Sequence, residues 1–468
     1  MELSDVEIRV LEEIKPKPEE YELLARAYNV LKESLLRALS RHGVNAEVTL
    51  QGSVEHDTWL SGDRDLDVFV LFSGDWSRED LEKRGLPIII EGAGEVGEVE
   101  IRYAEHPYVR VKFMGVEADV VASLKLSRPD LAKTAVDRTP FHTEFIKRAL
   151  SREQRDHVRL LKKFIKTIGV YGAEVKTRGF SGYAAELLVY AYGGFREVLE
   201  AASGWKPPVF VNTIGEHLTR DLIKELKSKY PDSVIFIPDP VDHLRNVTAS
   251  VSPKSLFTFI LASKCYLANP SVEFFKEPLE PSLEELVEAT VGRCILFLKY
   301  DLKEQLPPDV VWGEAWRVAS TAERILAVHD LHVIDYSAWT NEKDTVVVSL
   351  ELEHCFLPVY KHYGGPCLQH EDARIINFIK KHFRRGFGPW VGRDGCLNSL
   401  DARAKVDVVE IVATRWQEYT VSPHLRTVKP VVSYVTREVL EELLKMGAGR
   451  WLREFILKTP SWMEKCTF

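Results

Sequence analysis

The chain has 468 residues, 45% of them apolar, enough to bury several cores, and at roughly 150 residues per domain it is expected to fold as about three domains. No run approaches the ~18 uninterrupted apolar residues of a membrane span, and Met1-Glu2-Leu3-Ser4-Asp5 lacks the charged-then-apolar order of a secretory leader, so a soluble, cytoplasmic protein is expected. The net charge of −8 hides an asymmetry: residues 361 to 468 hold 18 Lys and Arg against 12 Asp and Glu, so they carry +6 and the first 360 residues −14, and the sum does not exclude a nucleic-acid partner.

The six cysteines (Cys265, Cys294, Cys355, Cys367, Cys396 and Cys466) are scattered, absent from the first half and never spaced as C-x-x-C. This predicts neither a zinc module nor a disulfide framework, but thiols in a reducing cytosol. Cys355, Cys367 and His370 form a loose cluster whose spacing is poor for a metal.

From the N-terminus, Leu24, Tyr28, Leu31, Leu35 and Leu39 recur at helical spacing up to Gly43, after entry signals at Pro16 and Pro18. Ala46 to Gln51 reads as extended, and Gly52-Ser53 opens a polar loop to Arg64. A strand follows over Asp65 to Phe72, with Leu66, Val68, Val70 and Phe72 on one face and Asp65 and Asp67 on the other. Val109, Val111 and Phe113 alternate with Arg110 and Lys112, Gly115 turns the chain, and Val116 to Val121 returns with Glu117 and Asp119 on its polar face.

Arg152 to Ile168 predicts an amphipathic helix, apolar through Val158, Leu161, Phe164, Ile165 and Ile168 and polar through Arg159, Lys162, Lys163 and Lys166. Further helices are expected beyond Ser181-Gly182 and over Thr213 to Tyr230. After about residue 270, strand-like runs (Cys294 to Leu298, Thr345 to Leu350, Val406 to Val412) mix with helices such as Asp372 to Phe383, an α+β texture without repeats or long linkers.

The chemistry is carried by Gly52-Ser53 followed, eleven residues on, by Asp65-Leu66-Asp67 on an apolar strand. Carboxylates at i and i+2 share a face, roughly 7 Å apart at Cα, so their oxygens can converge on hard divalent cations. A third carboxylate from a neighbouring strand completes a two-metal site, in which ions about 4 Å apart activate an attacking hydroxyl and stabilise a leaving pyrophosphate. Glycine and serine at the head of the loop allow a phosphate to approach the backbone. A lone D-x-D is an ordinary solvated strand face; the combination with glycine, loop length and strand placement is what points to nucleotidyl transfer.

The pattern resembles the nucleotidyltransferase superfamily of DNA polymerase beta, and the fuller run from Gln51 to Phe69 is similar to that of the class I, archaeal CCA-adding enzymes. The likeness continues through Glu105-His106-Pro107-Tyr108, Arg138 to Thr143, Lys162-Lys163-Phe164, Gly169 to Gly172, Gly179 to Tyr183 and Asp239-Pro240-Val241-Asp242 ahead of Arg245-Asn246-Val247. It implies a polymerase-beta-like head of mixed sheet and helices (1–148), a helical neck (149–262) and an α+β body and tail that bind tRNA (263–468). It implies template-independent addition of CCA to tRNA lacking all or part of that end, from CTP and ATP with magnesium, by a homodimer.

On the family motif, Asp65, Asp67 and Asp119 would be the catalytic, metal-binding residues, with Glu117 the competitor for the third place. Gly52, Ser53, His56, His142, Lys162, Tyr171 and Ser181 would bind the nucleotide triphosphate, and Arg245 the base. Two departures stand out: His56 occupies a place usually held by arginine, so that either His56 touches the triphosphate, weakly or when protonated, or Arg64 compensates, and His243-Leu244 precede Arg245 where proline is common. Competing readings are a poly(A)-polymerase-like enzyme, a catalytically silent RNA-binding relative, and a small-molecule nucleotidyltransferase, the last disfavoured by the long C-terminal region with Lys380, Lys381, Arg384 and Arg385.

Overall fold

The computed structural model describes residues 3–103, 106–132 and 134–466, so Glu105 of the resemblance lies outside the described residues. The chain divides into two compact units, Met1–Pro278 with Pro460–Phe468, and Leu279–Thr459. Among the described residues no helix is long and apolar enough to cross a membrane.

The first unit opens with helices α1 (Asp5–Ile14) and α2 (Pro18–Arg41), then β1 (Ala46–Gln51), a short helix α3 (Gly52–His56) and β2 (Asp65–Phe72). Helix α4 (Leu86–Gly94) leads to β3 (Glu98–Tyr103), β4 (Pro107–Phe113) and β5 (Val116–Leu124). The strands form one sheet in the order β1-β2-β5-β4-β3, antiparallel except for the central β2–β5 pair. Leu66, Val68, Val70 and Phe72 bury one face against Leu31, Leu35 and Ala38 of α2, the stripe the sequence spacing predicts. Gly92 brings α4 against α2: a Cβ there would meet the Leu35 backbone at 3.0 Å.

Helices α5 (Ala135–Ala149), α6 (Arg152–Thr167), α7 (Gly182–Tyr192), α8 (Phe195–Ser203) and α9 (Pro253–Ala268) build a second core around Phe164. Five aromatic rings, of Phe195, Phe259, Tyr266, Phe274 and Phe275, surround it at 5.8 to 6.3 Å. The expected apolar stripe of α6 is observed, but two of its expected polar residues are not solvated: Arg159 is 1% and Lys162 3% exposed. The helix is covered on both sides, and Arg159 Nε donates to the Trp59 carbonyl at 3.0 Å from the segment that follows α3.

Three other expectations are corrected. The stretch after Gln51 is not all loop, since Gly52–His56 is helical before Asp57 turns left-handed at φ 57°. The helix expected over Thr213 to Tyr230 starts only at Arg220, where Thr219 caps it. Val406 to Val412 is not a strand: Val408–Thr414 is a helix capped by Asp407, and its buried Val408, Ile411 and Val412 stand at i, i+3 and i+4.

The second unit holds a four-stranded sheet over β6 (Cys294–Asp301), β7 (Val333–Thr340) and β8 (Thr345–Leu352) with a late edge strand Val431–Tyr434, against which the helix Pro308–Val328 packs. A separate three-stranded sheet, Tyr360–Cys367, Cys396–Ala402 and Gly386–Val391, carries the helix Asp372–His382.

The cysteine reading is overturned. All six are paired, Cys265 with Cys466, Cys294 with Cys355 and Cys367 with Cys396, across 201, 61 and 29 residues. The partners meet through the tertiary fold, so no short spacing announces them. The first bond ties the returning segment with buried Trp462 to α9 within the first unit. By loop-closure entropy a cross-link closing so long a loop stabilises by roughly 5 kcal/mol, so reductant or Cys466→Ser should lower the thermal midpoint by about 5–10 °C. Superimposable melts with and without reductant would contradict the pairing.

Candidate active site

The polar face of the first sheet gathers its carboxylates by register. Parallel pairing of β2 with β5 sets Asp65 opposite Glu117 and Asp67 opposite Asp119, so all four share one face. Burial, then the charges of Asp119 and Asp65, push the Asp67 carboxyl up to about 6. Asp65 is raised as well, by burial and by Asp63 and Glu117. Glu117 goes the other way, held down chiefly by its hydrogen bond with Lys112.

Gly52 adopts φ +67° directly beside Asp67; a Cβ on it would lie 2.0 Å from Oδ2. The missing side chain is what leaves the carboxylate room. Asp119 is differently placed. Its two oxygens accept from Nε and Nη2 of Arg110, both at 2.7 Å, because the β4–β5 hairpin sets Arg110 opposite it.

Among the described residues no three His, Cys, Asp or Glu side chains already close on a single point as a metal-binding group. The donor set nevertheless fits a hard divalent cation: three carboxylates on one sheet face, with Asp67 raised by its acidic neighbours, so a cation there would relieve their repulsion. Asp65, Asp67 and Asp119 are the residues that could hold it.

A buried network adjoins this face. His56, 4% exposed, sets Nδ1 3.0 Å from Glu186 Oε1 and Nε2 3.0 Å from Thr143 Oγ1. Thr58 Oγ1 donates to the same Glu186 oxygen at 2.5 Å, and Lys162 Nζ donates to Thr58 Oγ1 at 2.9 Å and lies 3.4 Å from Glu186. Burial alone would raise Glu186, but the charges of His56 and Lys162 and the hydrogen bonds from His56 and Thr58 hold it at about 2. An ionised carboxylate only accepts, so His56 Nδ1 carries its proton toward Glu186. Burial lowers Lys162, against the pull of Glu186. Tyr171, raised by burial, reaches this group near Gly182, whose added Cβ would meet Tyr171 Oη at 3.0 Å and Lys162 Cε at 3.5 Å. Ser181 caps α7 by accepting from the Ala184 amide, and Ser53 lies in α3 next to Gly52.

A third cluster centres on Asp239, fully buried. His142 Nε2 and Arg245 Nη1 both lie 2.8 Å from Oδ2, while Tyr183 Oη donates to Oδ1 at 3.1 Å and stacks on His142 at 4.3 Å. Burial would raise Asp239, yet His142 and Arg245 hold it at about 2. Arg245 is thus anchored by Asp239, while Asp242 pairs with Arg138 instead.

The expected residues therefore fall into three neighbouring groups. Those that sequence reasoning missed are Arg110 and Glu186. Counting outward from the Met114-Gly115 turn places Arg110 opposite Asp119, and Glu186 is the single charge in the apolar run of α7, so both had a readable signal.

Residues 32–142 match the family described as nucleotidyltransferase domain, and residues 156–276 the one described as tRNA nucleotidyltransferase, second domain. The CCA-adding enzymes of Saccharolobus solfataricus and Sulfurisphaera tokodaii are each 37% identical over 98% of this chain and 100% of their own length. That of Sulfolobus acidocaldarius is 35% identical over 98% of this chain and 99% of its own. A looser likeness, TM-score 0.47 at 17% identity over 58% of this chain and 98% of the other, is to the Cid1 poly(U) polymerase. Aligned over 98% of its length with these enzymes, and matched by both nucleotidyltransferase families, this protein belongs to the archaeal CCA-adding enzymes, tRNA nucleotidyltransferases of the polymerase-beta-like superfamily.

Proposed function

We propose that the chain completes the 3′ end of tRNA by adding C, C and A from CTP and ATP, without a nucleic-acid template, releasing one pyrophosphate per step. The observation that carries this reading is the register Asp67↔Asp119, with Asp65 one pleat away, next to the buried Lys162 group. Asp65, Asp67 and Asp119 would hold two magnesium ions, whose Lewis acidity would favour the attacking hydroxyl and the leaving pyrophosphate. Gly52 keeps Asp67 free to face the nucleotide, and Ser53, His142, Lys162, Tyr171 and Ser181 hold the triphosphate. His56, with both nitrogens committed, serves through Glu186 and Thr143. Residues 1–148 act as catalytic head, 149–262 as nucleotide-binding neck and 263–468 as the tRNA-binding body and tail.

Arg245 selects the base. Cytosine offers O2 and N3 and adenine N1 as acceptors to an anchored guanidinium, whereas uracil and guanine present an N–H at the corresponding ring nitrogen. Opposed donors leave a buried group unpaired, at about 1–3 kcal/mol. Arg245→Ala should cut the CTP-over-UTP preference about tenfold or more in primer extension. Uniform slowing at an unchanged ratio would place selection elsewhere.

The reading as a whole is tested with tRNA transcripts ending before CCA. CTP alone should add two residues, ATP alone none, and both together three, with pyrophosphate released one for one. Runs of adenylate from ATP alone would point to a poly(A)-type enzyme instead.

A further inference from the structure

The carboxylate that completes the site is already engaged. Arg110 holds both oxygens of Asp119 in a two-pronged ion pair, each contact 2.7 Å, and its Nη1 lies 3.6 Å from Glu117 on the same strand. The sheet order puts Asp119 between Asp67 on β2 and Arg110 on β4, so one side chain faces a choice between two neighbours. The pair is fixed by strand register, and both side chains are about three-quarters buried, which shelters it from salt. A carboxylate whose two oxygens accept from a guanidinium fork presents fewer lone pairs to a cation, and the guanidinium charge opposes a cation nearby.

Resting on the metal reading of Asp65, Asp67 and Asp119 given above, we propose that Arg110 is a positioning residue that competes with the divalent cation for Asp119, so that metal loading of the nucleotide-free enzyme requires the Arg110–Asp119 pair to open. Ion and guanidinium are alternative partners of one carboxylate. The apparent metal affinity is then weakened by the pair's own stability, and removal of Arg110 strengthens it. A merely structural arginine has the opposite signature, since its loss would loosen the site and weaken binding.

The test is Mn2+ binding to the full-length, nucleotide-free protein, followed by electron paramagnetic resonance of the free ion, with circular dichroism to confirm folding. Arg110→Gln should bind Mn2+ about three- to tenfold more tightly than wild type, as expected for loss of a partly exposed bidentate pair, about three-quarters buried. Arg110→Lys, which can meet only one oxygen at a time, should also bind more tightly. Lys112→Gln, which removes a charge one pleat away on the same strand, should change affinity less than about twofold at physiological salt. Asp67→Asn identifies the site. If it abolishes Mn2+ binding and neither Arg110 variant binds more tightly, the competition is refuted while the metal reading stands. If Mn2+ binding survives Asp67→Asn unchanged, both are refuted. Equal tightening by Lys112→Gln would assign the effect to bulk charge and overturn the role of Arg110.

Discussion

Asp67→Asn is expected to abolish nucleotide incorporation, by about a thousandfold or more, while making the metal-free protein more stable above neutral pH. The first half follows from the role proposed for Asp67 in holding a cation, whose charge would be worth several kcal/mol at the reacting phosphate. The second follows from the electrostatics of the free site. Asp67 is raised from the usual 3.8 to about 6 by burial and by Asp119 and Asp65. The folded state therefore holds a proton that the unfolded chain gives up between those values. Stability from this group is full below about pH 4, falls as pH rises through about 6, and stays reduced above it, by at most about 3 kcal/mol. Asparagine carries no such penalty. Thermal melts in chelator at pH 5 and pH 8 should show the wild type losing more stability between the two than Asp67→Asn. An inactive variant that is also less stable at pH 8 would mean that Asp67 is a structural acceptor. Asp65→Ala and Asp119→Ala should likewise lose activity, and Glu117→Ala, whose carboxylate is drawn off by Lys112, should not.

Gly52→Ala is expected to cost nearly as much activity, at least about a hundredfold, by a steric route. The added methyl would lie 2.0 Å from Asp67 Oδ2, so the carboxylate has to leave its place, and the backbone at φ +67° adds strain of about 1 kcal/mol. Gly43→Ala is the matched control, with a similar φ of +63° and nothing within 4 Å of its Cβ. It should share the small stability loss and retain incorporation. Equal activity of the two variants would show that Asp67 tolerates displacement. A Gly52→Ala protein that unfolds outright would be recognised by its circular dichroism and compared through Mn2+ binding at lower temperature.

The parts of this fold that the sequence made legible are those where one residue period decides the outcome. Alternation over Asp65 to Phe72 and over Val109 to Val121 fixes which face carries carboxylates, and the four-residue spacing of Leu31, Leu35 and Leu39 fixes the face of α2. Periodicity fails where a helix is covered on two sides. Arg159 and Lys162 sit on the polar face of α6 by spacing, yet both are buried because the Thr58–Trp59 segment and Glu186 come in from elsewhere in the chain. His56 likewise stands in the motif loop by sequence, yet its two nitrogens meet Glu186, 130 residues on, and Thr143. Val408–Thr414 shows the limit of β-propensity: valine and isoleucine favour strands, but an aspartate cap and i, i+3, i+4 burial win. The basic C-terminal stretch is no separable tail either, since the strand Val431–Tyr434 pairs with Cys294–Asp301 inside the second unit.

The central claim, selection of C, C and A by the protein alone, is tested most directly by sequencing the 3′ ends made from a tRNA transcript lacking CCA when all four nucleotides are supplied at equal concentration with magnesium. The products should end in CCA, with extension stopping there. A homopolymer tail, a mixed tail, or continued growth past the A would contradict it.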